Sequence, residues 1–196
     1  ISCLQRKSIK SKSVPPKSLL ASFLFQKVFM DVAGPLPEQH NQRYILVIID
    51  SFSSYVAVKA LKNIHSETIS EAFFEKWVSL FGPPKQLHTD NAKYFRGQEI
   101  EKLCKKFEIT QSFSSPFYPQ GNEKVERTIR TIKDMIFCCV QDHRKPWPKT
   151  LCEVEYAMRS FIRNKLGLSA LEMLFGRPIG SYPSNFDHHH LSTLMS

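Results

Sequence analysis

The 196-residue chain lacks any apolar run long enough to cross a membrane. The longest apolar stretch near the start of the chain covers residues 19–25 and is interrupted by Ser22. It is far shorter than the ~20 residues that a membrane-spanning helix needs. Cysteine is also sparse, with 5 residues, and two of them are the neighbours Cys138 and Cys139. This excludes a disulfide-stabilised scaffold and favours reduced thiols, as in an intracellular protein.

Acidic residues are few relative to basic ones. The chain has 18 Asp and Glu against 27 Lys and Arg, which gives a net charge of +9, and residues 1–30 contain no acidic residue. Such an excess attracts polyanions, most commonly nucleic acid, although a basic protein without such a partner fits the charge equally well. The Ser- and Lys-rich residues 1–22, with Pro15 and Pro16, are predicted to form an extended basic linker.

The hydrophobic pattern predicts an α/β domain. The continuous β-branched run over residues 44–50 is typical of a buried strand, whereas the apolar spacing of Ile69, Phe73, Trp77 and Leu80 predicts a helix. The predicted strands span residues 27–31, 44–50, 55–59, 86–89 and 109–113, and the predicted helices span 66–81, 97–107, 122–141, 147–163 and 169–174. Hairpin strands followed by helical crossovers predict a mixed sheet flanked by helices.

Three acidic residues occupy positions that favour a shared site. Asp31 ends the first predicted strand, Asp90 follows the fourth, and Glu126 lies in the first turns of the long predicted helix. Three carboxylates in one crevice need cations, and oxygen-only ligands favour Mg²⁺ or Mn²⁺. Taken singly, each residue is more simply a turn former, a cap or a solvated helix residue, so the hypothesis depends on the set.

Six short segments resemble the catalytic core of retroviral-type integrases, closest to those of gypsy-type long-terminal-repeat retrotransposons. They occur in the family's order, and thirty-five residues separate Asp90 from Glu126, as in that family. The segments are residues 30–37 (MDVAGPLP), 47–50 (VIID), 81–84 (FGPP), 88–91 (HTDN), 115–120 (SPFYPQ) and 125–127 (VER).

The resemblance implies an RNase H-like fold with a five-stranded mixed sheet. It implies that Asp31, Asp90 and Glu126 are the catalytic residues and the ligands of two Mg²⁺ or Mn²⁺ ions. The implied partners are double-stranded DNA, of the element's ends and of the target, and at least one further copy of the chain, with no membrane. The implied location is the nucleus, after synthesis within a polyprotein. The catalytic core is predicted to span residues 23–178 and to precede a flexible tail over 179–196.

The segment from Cys3 to Lys7 resembles the end of the zinc module that precedes this core in the family. Zinc is therefore expected only in that module, whose other ligands would lie before Ile1. A structural zinc site needs four ligands, so Cys3 is expected to be a free thiol here.

Basic residues surround Glu126 on the long predicted helix. Arg130 and Lys133 follow it by four and seven residues and share its face, where they would hold phosphates beside the acids. A solvated helix face is the alternative. The predicted DNA contacts are Lys124, Arg127, Arg130 and Lys133 on this helix, Tyr118 and Gln120 in the preceding loop, and Asn91.

Two further polar residues have simpler explanations than catalysis. Asp50 is better explained as a turn former at a strand end than as a fourth acid. His88 is better explained as a strand residue with satisfied ring nitrogens than as a base, since metal can activate water directly. Asn91 either positions substrate or caps a turn.

Some positions depart from the family pattern. Glu123 replaces a common Gly, Arg159 a common Asn, and the pair Ala170 and Leu171 a common Pro-Phe. These departures leave open a domesticated or decayed core that binds DNA or a partner without catalysis. A nuclease acting on RNA–DNA hybrids is a third possibility, which the acid spacing and the basic N-terminal arm disfavour.

Overall fold

A five-stranded sheet lies at the centre of the structure, a computed structural model that describes residues 23–114, 123–141, 145–161 and 167–177. The strand order is β3-β2-β1-β4-β5. Strands β1, β2 and β3 pair antiparallel, whereas β4 pairs parallel with both β1 and β5, so the predicted mixed sheet is confirmed. The strands are β1 (Lys27–Ala33), β2 (Tyr44–Asp50), β3 (Val56–Leu61), β4 (Gln86–Thr89) and β5 (Thr110–Phe113).

Helices cover both faces of the sheet and give two apolar cores. The α-helices are α1 (Ser66–Phe73), α2 (Ser79–Phe81), α3 (Gln98–Lys106), α4 (Glu123–Gln141), α5 (Trp147–Ser160) and α6 (Ala170–Phe175). Strand β1 shows the alternation that creates the two cores, because successive side chains of a strand point to opposite faces. Val28 and Met30 join α1, α3 and α6, whereas Phe29 and Ala33 join α4 and α5. Asp31 lies two residues after Phe29 and therefore faces the α4 side.

The predicted order of strands and helices is confirmed, but the helix that begins at Ser66 is not uniform. A π-helical segment, Phe74–Val78, separates α1 from α2. A π turn holds more residues than an α turn, so it shifts the phase of every later residue. Trp77 and Val78 are buried, whereas Leu80 is 65% exposed. Leu80 therefore lies outside the apolar core, although it continues the spacing of Ile69, Phe73 and Trp77.

Two other predicted segments end differently. Helix α5 stops at Ser160, three residues before its predicted end, because Phe161 adopts an extended backbone. The predicted linker (1–22) and tail (179–196) lie outside the described residues, as does the residue 178 that was to end the core, so these domain limits remain predictions. Within the described ranges, the chain has no helix of the length and hydrophobicity that crossing a membrane requires.

Candidate active site

Asp31 and Asp90 lie at the same edge of the sheet. Asp31 belongs to β1, and Asp90 follows the last residue of β4. The two strands are parallel neighbours in which Met30 pairs with Thr89, so each aspartate comes directly after a paired residue. In sheets of this kind, ligands bind at the carboxyl ends of the strands, next to the point where the strand order reverses. The sheet therefore brings two of the three predicted acidic residues together.

Tyr94 lies within electrostatic reach of both aspartates. It belongs to a 3₁₀ turn, Lys93–Arg96, that follows Asp90 closely. Burial is the main cause, and the negative charges of Asp90 and Asp31 add to it; together they raise the pKa of Tyr94 to about 12. No pattern in the sequence predicts a role for Tyr94, because a single 3₁₀ turn leaves no periodic signal; its closeness to Asp90 in the sequence is the only clue.

Helix α4 is joined to this edge by an ion pair. The ammonium of Lys133 donates to Asp31 Oδ2 at 2.8 Å, across 102 positions of sequence. The other carboxylate oxygen, Oδ1, accepts the backbone N–H of Val32 at 2.7 Å. Both oxygens of Asp31 are thus engaged, one by the backbone and one by a cation. Asp90 is exposed, and its Oδ1 accepts the N–H of Ala92 at 3.1 Å in a turn of the kind that aspartate often forms.

Glu126 lies in α4, seven residues before Lys133. Residues seven apart in an α-helix share a face, so the helix that brings Lys133 to Asp31 also carries Glu126. The side chain of Glu126 lies outside the described part of the structure. Among the side chains that are described, no three His, Cys, Asp or Glu residues form a metal-binding group.

The residues at this edge fit a divalent cation. Asp31 Oδ2 already accepts one positive charge, the ammonium of Lys133. Carboxylate oxygens are the donors that Mg²⁺ and Mn²⁺ prefer. The donor chemistry therefore agrees with the predicted cofactor class.

Some of the predicted DNA contacts are exposed, one forms an ion pair, and the others lie outside the described residues. Arg127 and Arg130 of α4 and Asn91 are exposed, whereas Lys133 is engaged with Asp31. Tyr118, Gln120 and the side chain of Lys124 lie outside the described residues. All of these contacts stay predictions.

The 3₁₀ turn adds two basic side chains that were not among the predicted DNA contacts. Lys93 and Arg96 are exposed, and the guanidinium of Arg96 lies 4.5 Å from the centre of the Phe113 ring at the end of β5. Positive charge therefore borders the aspartate edge on the side of this turn as well as on α4.

Asp50 is a structural residue. It is fully buried and pairs with Val28, three positions before Asp31 along β1. Its carboxylate accepts the N–H of Phe25 at 3.0 Å and both the N–H and the hydroxyl of Ser53 at 2.7 Å. Burial raises the pKa of Asp50 even though these hydrogen bonds favour the charged form. The interpretation of Asp50 as a turn former at a strand end is confirmed.

His88 is also a structural residue. Its ring nitrogens lie 2.9 Å from the Ser112 hydroxyl and 3.1 Å from the Ser114 hydroxyl, so the ring joins β4 to the end of β5. Burial, together with the positive charge of Lys27, lowers the pKa of His88 to about 4. The imidazole is therefore neutral at pH 7. The prediction of a satisfied strand residue is confirmed.

Comparison with known proteins bears out the resemblance. Residues 25–119 match the family model described as "Integrase core domain". These residues of the chain therefore resemble an integrase core domain. Among curated relatives, the Tf2-3 and Tf2-4 transposon polyproteins of Schizosaccharomyces pombe are each 25% identical over 151 residues, which cover 76% of this chain. The match spans only 11% of each polyprotein.

Solved structures show the same architecture. The catalytic core domain of BIV integrase superposes with a TM-score of 0.62 at 20% identity, covering 77% of this chain and 94% of that core. The catalytic core domain of HTLV-2 integrase, solved in complex with magnesium in a trimeric form, gives 0.60 at 25% identity, covering 76% and 95%. A simian T-cell lymphotropic virus intasome, in complex with PP2A regulatory subunit B56 gamma, gives 0.66 at 18% identity, covering 83% of this chain and 58% of that one. The described residues thus have the RNase H-like fold that the resemblance implies.

Proposed function

We propose that this integrase core inserts retroelement DNA into target DNA by 3′ processing and strand transfer. Water would attack a phosphodiester near the 3′ end of the element, and the exposed 3′ hydroxyl would then attack a phosphodiester of the target. Both steps are displacements at phosphorus, so one site can serve both. The observation that carries the proposal is the edge formed by Asp31 and Asp90, to which Lys133 joins the helix that bears Glu126.

The roles follow from charge and position. Asp31, Asp90 and Glu126 would hold two Mg²⁺ or Mn²⁺ ions, which would supply activation of the attacking oxygen and stabilisation of the leaving oxygen. Arg130 and Lys133, on the helix that carries Glu126, would hold the phosphates of the element's end. Charge-assisted hydrogen bonds from such residues fix the position of a duplex without reading its sequence.

The proposed activity determines which partners the chain needs. Double-stranded DNA is the substrate, and joining both ends of an element needs two active sites, hence at least a dimer. The proposed place of action is the nucleus, where the target DNA lies. The magnesium complex and the intasome among the similar structures support a metal-dependent, oligomeric mode of action.

The decisive experiment is a disintegration assay, which asks an isolated core to reverse strand transfer on a branched DNA. Wild type and Glu126→Gln are compared with Mn²⁺, Mg²⁺ or EDTA. Glu101→Gln is the matched control, because it makes the same chemical change on an exposed residue of α3. Wild type and Glu101→Gln are expected to join strands with metal, whereas Glu126→Gln is expected to bind DNA without joining it.

Two outcomes would contradict the proposal. If Glu126→Gln joins strands as fast as wild type, Glu126 has no catalytic role. If wild type neither joins strands nor binds Mn²⁺ in a calorimetric titration, the carboxylates are relics, and the chain is a binding module derived from an integrase.

A further inference from the structure

Lys133 occupies the one oxygen of Asp31 that points away from the backbone. Oδ1 is turned to the N–H of Val32 at 2.7 Å, whereas Oδ2 meets the Lys133 ammonium at 2.8 Å. A metal ion bound to Asp31 would use Oδ2, because Oδ1 already serves the backbone. The ammonium and a metal ion therefore compete for the same lone pairs.

The two cations cannot share this oxygen without strong repulsion. Mg²⁺ binds oxygen at about 2.0–2.1 Å, so an ammonium kept on the same atom would lie within about 4–5 Å of it. Asp31 is only 22% exposed, and water screens charge poorly at such a partly buried position. Lys133 is 39% exposed, so its flexible side chain has solvent to move into.

We infer that Lys133 is a built-in counter-ion of Asp31, which a divalent metal ion must displace. Without metal, the ammonium neutralises one carboxylate and keeps α4 docked on β1. When metal binds, the ammonium is released at the mouth of the site, where it is free to contact a phosphate. Metal loading and phosphate binding by Lys133 are then linked, and by thermodynamic reciprocity each favours the other.

The inference rests on the proposed function in one respect only, namely that the phosphate contacted by the released Lys133 belongs to DNA. The exchange of ammonium for metal needs neither DNA nor catalysis, so it is measured on the chain alone. A plain ion pair, one whose carboxylate binds no metal ion, would give no such exchange.

The first measurement is calorimetric titration with Mn²⁺ in the absence of DNA. Lys133→Gln, which removes the competing charge, is expected to bind Mn²⁺ more tightly by about fivefold or more, the scale of typical site-to-site coupling. Arg130→Gln is the matched control, because it removes a positive charge from an exposed position of the same helix. It is expected to change Mn²⁺ affinity far less. Thermal melting establishes that both variants are folded.

The second measurement follows the Lys133 amine itself. Wild type is acetylated briefly with and without Mg²⁺, and each lysine is quantified by mass spectrometry. Acetylation of Lys133 is expected to rise severalfold with Mg²⁺. Lys102 is the internal control, because it forms a 2.8 Å ion pair with Glu99 on α3, away from the aspartates, and is expected not to change.

The outcomes separate this inference from the proposed function. Equal Mn²⁺ affinity in wild type and Lys133→Gln, unchanged acetylation of Lys133, or no Mn²⁺ binding by either protein would each overturn the inference. Strand joining by a wild type whose Lys133 does not respond to Mg²⁺ would leave the function standing and the inference refuted. A metal response of Lys133 without strand joining would support the inference and leave the proposed function without support.

Discussion

Glu155 and Arg159, one turn apart on α5, together take the place of a neighbouring strand along the free edge of β3. Glu155 Oε1 accepts the N–H of Val58 at 2.6 Å, and Arg159 Nε donates to the carbonyl of Val56 at 2.6 Å. The two side chains also form an ion pair of 3.1 Å. An exposed strand edge invites pairing with other chains, and this arrangement covers it with side chains that supply the missing donor and acceptor.

Removal of this cover is expected to destabilise the domain. Glu155→Ala leaves the buried N–H of Val58 without its acceptor, which costs about 1–3 kcal/mol in the free energy of unfolding. Urea denaturation measures the change. Glu153→Ala on the same helix is the control; its ion pair with Lys145 is exposed, so a loss within about 1 kcal/mol is expected. Equal losses in the two variants would show that the edge contact contributes nothing specific.

His88 makes stability depend on pH in a defined direction. Its pKa falls from 6.5 in the unfolded chain to about 4 in the folded protein, so the unfolded state binds more protons between these values. The contribution of His88 to the free energy of unfolding is therefore fully present above pH 6.5 and is lost as the pH falls toward 4. The expected loss at pH 5 is about 2 kcal/mol relative to pH 7.

Urea denaturation at pH 7, 6 and 5 tests this expectation. His88→Gln is expected to remove most of the pH dependence, whereas His65→Gln, at an exposed position, is expected to keep it. A wild-type slope that survives in His88→Gln would assign the effect to other groups.

Arg130 is expected to contribute one phosphate contact. Arg130→Gln should weaken binding to a short DNA duplex to a similar extent for all sequences. It should also reduce the slope of log affinity against log salt by about one unit. Fluorescence anisotropy over a series of salt concentrations measures both. Lys102→Gln on α3 is the control, and a slope that falls equally in the two variants would show a non-specific charge effect.

Asp50 and Asp31 are expected to respond differently to the same substitution. Asp50→Asn disturbs hydrogen bonds from Phe25 and Ser53 and should lower the free energy of unfolding by about 1–3 kcal/mol, with Mn²⁺ affinity unchanged. Asp31→Asn should abolish Mn²⁺ binding. Asp50 pairs with Val28, roughly 10 Å along β1 from Asp31, which keeps it away from the metal edge. Loss of Mn²⁺ binding in a folded Asp50→Asn would make it a fourth acidic ligand.

Much of the fold was predictable because its signals are local. The β-branched run of β2 and the helical apolar spacing after Ser66 each identify one element without knowledge of the rest. The closeness of Asp31 and Asp90 also followed, since Asp31 lies near the end of β1 and Asp90 directly follows β4, two strands that the topology places side by side.

What escaped prediction depends on contacts distant in sequence or on small changes of helical phase. The π segment, Phe74–Val78, leaves the apolar spacing outwardly regular while turning Leu80 to solvent. Arg159 looked like a mere departure from the family pattern. Its guanidinium contacts the Val56 carbonyl and lies 4.4 Å from the centre of the Tyr55 ring, both about a hundred residues earlier in the sequence. No local pattern reports such contacts.

The ion pair between Asp31 and Lys133 also determines when the site can exist. Its partners are 102 positions apart, so during synthesis the ribosome must release β1, the whole sheet and much of α4 before they can meet. Contacts of such high sequence separation form late, because the intervening chain must be ordered first. The edge formed by Asp31 and Asp90 therefore has no ion pair to α4 until Lys133 has been translated and has left the ribosome.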